Sequence, residues 1–141
     1  MRHETIEALH QHHCSLVVNR DGELYFFHKK GVRDLEDLLN NTPQLLNGSE
    51  LADKVIGKAA AGMIVEGKVK EVYADILSRK AVPLLEKADI PYSYGKLVDR
   101  IIIPEGDTRC PLEQIVGKAD TAEEVVRLLR KHFAEMNQFK H

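Results

Sequence analysis

Leu51-Ala52-Asp53-Lys54-Val55-Ile56-Gly57-Lys58-Ala59-Ala60-Ala61-Gly62-Met63-Ile64-Val65 is the stretch on which the fold turns. Small and apolar residues fill it, and its three charges, Asp53, Lys54 and Lys58, crowd toward one end. Read as a single helix from Leu51 to Val65, it is a buried element whose alanines and glycines let neighbouring backbones come close, with a charged end facing a ligand. Lys54 and Lys58 then lie one turn apart on a shared face, while Asp53 is rotated toward the opposite flank. Two ammonium groups at that spacing repel unless an anion or a carboxylate lies between them, and the positive end of the helix adds to the demand. A phosphate or carboxylate ligand meets it. Lysines that run out to solvent and an Asp53 that merely caps the helix produce the same pattern with no ligand at all.

Around this stretch the chain alternates. Ile6 and Leu9 have helical spacing within Glu4 to His12. Cys14 to Val18 then turns at Asn19-Arg20-Asp21-Gly22 into Glu23 to His28, a hairpin signal. Val32, Leu35, Leu38 and Leu39 share one helical face, and Asn-Asn-Thr-Pro ends that helix. After Gly67, Val69 to Leu77 reads as a strand. Arg79 to Lys87 reads as a helix with Ser78 as its N-cap and Pro83 in its first turn. Pro111 to Val116 is a short helix closed by Gly117, and Thr121 to Phe139 a long amphipathic one. A hairpin followed by alternating helices and strands predicts a mixed sheet covered on both faces, a three-layer α/β/α fold, because parallel neighbours need helical crossovers.

The chain's 141 residues fit one domain, 1–141, with 1–13 and 119–141 as helical additions. Hydrophobic residues at 43% and charged residues at 30% are globular proportions. Twenty Lys and Arg against 22 Asp and Glu leave a formal charge of -2, so no global basic field points to nucleic acid or an anionic membrane. The acidic start, Met1-Arg2-His3-Glu4-Thr5-Ile6-Glu7, does not read as a secretory signal, and no apolar run is long enough to span a bilayer. Two cysteines, Cys14 and Cys110, far apart in a chain of this size, suggest reduced thiols and a cytoplasmic setting.

Several ordered motifs carry a resemblance. Asp21-Gly22, the run from Leu51 to Ala61, Val69-Lys70-Glu71-Val72-Tyr73-Ala74, Lys96-Leu97-Val98-Asp99-Arg100-Ile101-Ile102 and Arg109-Cys110-Pro111-Leu112-Glu113 resemble a small bacterial family of unknown function with a cytidine-deaminase-like fold. The resemblance covers roughly 15–117 and implies that fold, but it implies no activity. Zinc deaminases hold their metal through a His or Cys followed two residues later by a proton-shuttling Glu, and through Pro-Cys-x-x-Cys on the next helix. By order of elements these motifs fall near Asp53-Lys54 and near Ser78-Arg79-Lys80-Ala81, and neither offers a thiolate or an imidazole. Zinc-dependent hydrolytic deamination is therefore not expected, and neither a metal nor another cofactor is assigned.

In the place of the metal stands a polar set. Asp53, Lys54 and Lys58 are expected to hold a small anionic or nucleotide-like ligand, with Ser78 adding a hydroxyl and Arg100 and Glu113 completing the contacts. Pro at the first helical position and Glu at the third place Cys110 at an N-cap, where the helix dipole and Arg109 or Arg100 would lower its thiol pKa. Cys110 is thus the candidate nucleophile or redox thiol of an alternative, enzymatic reading; a half-buried small apolar residue is the plainer one. His12-His13-Cys14 has metal-ligand residue types, but no second cluster completes a site. A third reading makes the chain a homo-oligomeric interaction module.

Overall fold

The computed structural model describes residues 3–28, 32–99 and 109–138. Helix α1 (His3–Gln11) leads into the hairpin of β1 (Leu16–Arg20) and β2 (Glu23–Phe27). Its turn is set by Asp21 and Gly22, whose φ angles of 52° and 92° supply the two positive values that a tight two-residue hairpin needs. The Gly22 N–H donates to Asn19 Oδ1 across the turn (3.0 Å). Helices α2 (Arg33–Asn41) and α3 (Pro43–Leu46) follow, then β3 (Glu50–Ile56), α4 (Lys58–Glu66), β4 (Glu71–Ser78), α5 (Val82–Lys87) and β5 (Tyr92–Val98). The described chain closes with α6 (Arg109–Ile115) and α7 (Ala122–Gln138).

The five strands form one mixed sheet in the order β2-β1-β3-β4-β5. β1 runs antiparallel to β2 and β3, while β3, β4 and β5 are parallel, with α4 and α5 as their crossovers. Alternation along the strands divides the core. Val17 and Ala52 meet Ala8 and Leu9 of α1 in a small cluster on one face. Leu16, Val18, Leu51 and Val72 join the main cluster with α4 and α7 on the other. The expected α/β class, a mixed sheet with helices on both faces, is the observed one.

The deciding stretch is not one helix. Residues Glu50–Ile56 are the central strand and Lys58–Glu66 the helix, with Gly57 between them. β3 lies between β1 and β4 and is covered on both faces, so Leu51, Ala52 and Asp53 are buried in succession. A strand buried on both sides loses its period of two, and small residues then read as helix. Lys54 and Lys58 therefore share no helical face.

Two smaller corrections follow from boundaries. Ser78 is the last residue of β4 rather than an N-cap: α5 begins at Val82 with Ala81 as its cap residue, and Ser78 Oγ accepts from the Lys80 N–H in a tight turn (3.2 Å). Cys110 stands inside α6, which runs from Arg109, so it is in the first turn and not at the cap.

The parallel strands share one irregularity. Leu51 and Ile56, Val72 and Leu77, and Tyr92 and Leu97 all join the main cluster although each pair is five residues apart, which strict alternation forbids. Strand pairing skips Lys54, Asp75 and Gly95 between them. The pleat changes phase across that row.

Candidate functional site

At the carboxyl end of β3 the chain turns through Gly57 into α4. The first amides of a helix have no partner within it. Here the carboxylate of Glu113, from α6, provides one: the Lys58 N–H donates to Oε1 (2.8 Å) and the Ala59 N–H to Oε2 (2.9 Å). Gly57 makes this approach possible, since a Cβ there would lie 2.4 Å from Glu113 Oε1. The Lys58 ammonium turns the other way and donates to the Gly117 carbonyl (3.1 Å), just past the end of α6. One lysine thus clamps α6 through both its backbone and its side chain. The anion that the amino end of α4 demands is part of the chain itself.

Beside this clamp lies a narrow cleft lined by Val32, Val55, Gly57, Ala59, Ala60, Leu112 and Glu113. Its walls are small and mostly apolar, with Glu113 the charged group among them. Its enclosed room is about that of one water molecule.

Of the residues singled out in the sequence, Lys58 and Glu113 meet at this place. Asp53 is buried in β3 and braces the strand end by accepting from the Val55 N–H (3.3 Å). Lys54 is exposed on β3, away from the cleft's lining. Ser78 is fully buried at the end of β4, one strand over, and does not line the cleft. Arg100 lies outside the described residues. Cys110 sits one helical turn before Glu113 in α6, and its side chain lies outside the described residues as well. Asp99 is exposed and accepts from Arg79 Nε (2.9 Å).

The helix after β3 starts at Lys58, so the helix start at which the sequence sets the first metal motif is Lys58-Ala59-Ala60 and not Asp53-Lys54, which lie in β3. The donors at the two motif positions are an ammonium committed to a carbonyl and a hydroxyl committed to a turn. Such a set does not fit zinc, which takes thiolate, imidazole or carboxylate. Among the described residues no group of three or more His, Cys, Asp or Glu could hold a metal ion.

A second polar cluster escaped the sequence reading. On the α1 side, His10 Nε2 lies 2.6 Å from Asp75 Oδ1, and the Tyr73 hydroxyl donates to the same oxygen (2.8 Å). Burial, then this hydrogen bond to a carboxylate, pushes the Tyr73 phenol up to about 12. Tyr73 and Asp75 are two apart on a strand, which is the signal that could have paired them; His10 comes from a different element and carried none. Cys14, nearby in the same layer, is buried, and burial raises its thiol pKa.

Comparison with known proteins bears on the fold. Residues 4–133 match the family described as a domain of unknown function, DUF1893. A crystal structure of a DUF1893 family protein from Thermotoga maritima superposes with a TM-score of 0.80 at 21% identity, covering 94% of this chain and 92% of that one. A dCMP deaminase from the cyanophage S-TIM5 gives 0.47 at 16% identity, over 67% of this chain and 99% of its own. Acinetobacter baumannii RibD gives 0.43 at 16%, over 65% and 33%. No match was found among the curated proteins.

Proposed function

The chain belongs to the DUF1893 family, and from that premise we propose that it is a small-molecule-binding domain whose ligand docks over the mouth of the cleft at the carboxyl end of β3. One observation carries the reading: Lys58 and Glu113, 55 residues apart, meet at an apolar cleft between a strand end and a helix start. Open α/β sheets bind ligands outside the carboxyl ends of their parallel strands, because loops and helix starts converge there. Val55, Ala59 and Ala60 supply apolar contact, Glu113 the polar one, and Asp53 keeps the strand end in place. A small anionic or nucleotide-like molecule is the class expected from the polar residues of the sequence, and no step of the proposal passes through zinc.

The test is a ¹⁵N-resolved titration of the whole chain with nucleosides, nucleotides, sugar phosphates and small amines. Shifts confined to the amides of 55–60 and 112–113 are the expected result; shifts elsewhere, or none with any compound, contradict it. A second reading rests on Cys110, one turn from Glu113 at the start of α6, as a nucleophile or redox thiol. Its alkylation rate against pH decides: a thiol titrating near the ordinary value of ~8.5 removes the motive.

A further inference from the structure

The two outer strands of the sheet are built differently. An edge strand presents a row of unpaired backbone groups, which folded chains blunt with lysine, proline or an interruption of the strand. β5 has two such devices, Lys96 and the change of pleat at Gly95. β2, Glu-Leu-Tyr-Phe-Phe, has neither: after Glu23 its residues are uncharged, Tyr25 is exposed, and Leu24, Phe26 and Phe27 are half-buried. Among the described residues β2 pairs with β1 alone.

The hairpin fixes which backbone groups of β2 are open. The pair that closes a two-residue turn exchanges both of its bonds, here Arg20 and Glu23, and such pairs recur at every second residue. Glu23, Tyr25 and Phe27 therefore turn their N–H and C=O groups toward β1, where the Phe27 carbonyl accepts from the Ser15 N–H (2.9 Å). Leu24 and Phe26 turn theirs outward. A second β2 running antiparallel meets both when the two-fold axis passes through Tyr25. Leu24 then lies opposite Phe26 of the second copy, and each such pair exchanges both of its backbone bonds.

We propose that β2 is a self-pairing edge through which two copies of this chain join their sheets into one. Opposite residues have the same parity, so the axis stands perpendicular to the sheet and each face continues into its like. On the α1 face Leu24 meets Phe26, whose ring packs on His12 with centroids 4.6 Å apart. On the other face the two Tyr25 side chains meet, each hydroxyl donating to its own Glu23 (2.8 Å). The charges allow this approach, because the two Glu23 carboxylates are four residues apart along the paired strands, about 14 Å, beyond the ~10 Å over which 0.1 M salt screens exposed charges. A strand of another sequence would satisfy the backbone groups alone; a second copy also matches the side chains on both faces.

Light scattering across a concentration series and hydrogen exchange of the ¹⁵N-labelled chain test this. The chain is expected to pass from monomer to dimer as its concentration rises. The Leu24 and Phe26 amides should gain protection with the dimer, while those of Tyr25 and Phe27 are protected throughout. Tyr25→Lys and Tyr25→Glu, made at an exposed position, should each raise the dissociation constant at least tenfold, because like charges then face each other across the axis. Mixed together, the two variants should pair with each other and restore the dimer. Tyr94→Lys on β5 should leave association unchanged. A chain that stays monomeric at every concentration overturns the proposal, even if an added extended peptide of another sequence protects Leu24 and Phe26. A dimer that survives Tyr25→Lys, or is lost in Tyr94→Lys, overturns it too, as does a loss in the two Tyr25 variants that mixing fails to repair.

Discussion

Glu113 is the residue whose role is most sharply defined, because two backbone donors depend on it. Removing it leaves the Lys58 and Ala59 amides without their acceptor, and a charge-assisted pair of this kind contributes about 1–3 kcal/mol. Glu113→Ala should lower the thermal midpoint accordingly. Gly57→Ala should do the same by a different route, since its Cβ would sit 2.4 Å from Glu113 Oε1 and push the carboxylate off the amides. The two losses are therefore not additive: in the double variant the second substitution should cost much less than it does alone, and additive losses would show that the two residues are not coupled. Tyr73 makes a prediction in pH. Its phenol is held neutral up to about 12 by burial and by its bond to Asp75, so its contribution to stability is complete below the ordinary tyrosine value of about 10 and is lost as pH rises from there. Tyr73→Phe should flatten the alkaline limb of the stability curve relative to the parent; parallel limbs would contradict this.

At the scale of elements, α4 is the helix around which the others pack. Its alanines and Gly62 let α7 approach so closely that a Cβ on Gly62 would lie 2.4 Å from Val125 Cγ1. Val125 is fully buried and cannot give way. Gly62→Ala should therefore destabilise by about 1–3 kcal/mol through overpacking, although alanine is the better helix former by roughly 1 kcal/mol. A more stable variant by chemical denaturation would mean that the two helices are not in close contact. This closeness was legible in the sequence, because Ala59, Ala60, Ala61 and Gly62 in a row have no other use in a buried helix. The break at Gly57 was not. Leu51, Ala52 and Asp53 are buried in succession, and a strand covered on both faces gives no alternation by which to recognise it. Asp21-Gly22, by contrast, marks its turn in any context, because few residues accept two successive positive φ angles.

For the whole molecule, the alternation of elements was enough to specify a mixed, helix-covered sheet, since parallel neighbours force crossovers. It could not specify that α6 returns to close the amino end of α4. That contact joins residues 55 apart, and nothing local in Glu113 distinguishes an acceptor for distant amides from a solvent-facing carboxylate. The charged set first assembled along one helix is instead dispersed: Lys58 and Glu113 meet at the cleft, while Asp53, Lys54 and Ser78 belong to strands. A place that could have held an anion or a metal becomes one lined by the chain's own carboxylate, and the account depends on that closure. Hydrogen exchange at the Lys58 and Ala59 amides measures it directly, because the first amides of a helix are normally open to solvent. Both should be protected to the level of the α4 interior, and both should lose that protection in Glu113→Ala while the interior keeps it. Rapid exchange at these two amides in the unaltered chain would contradict the account.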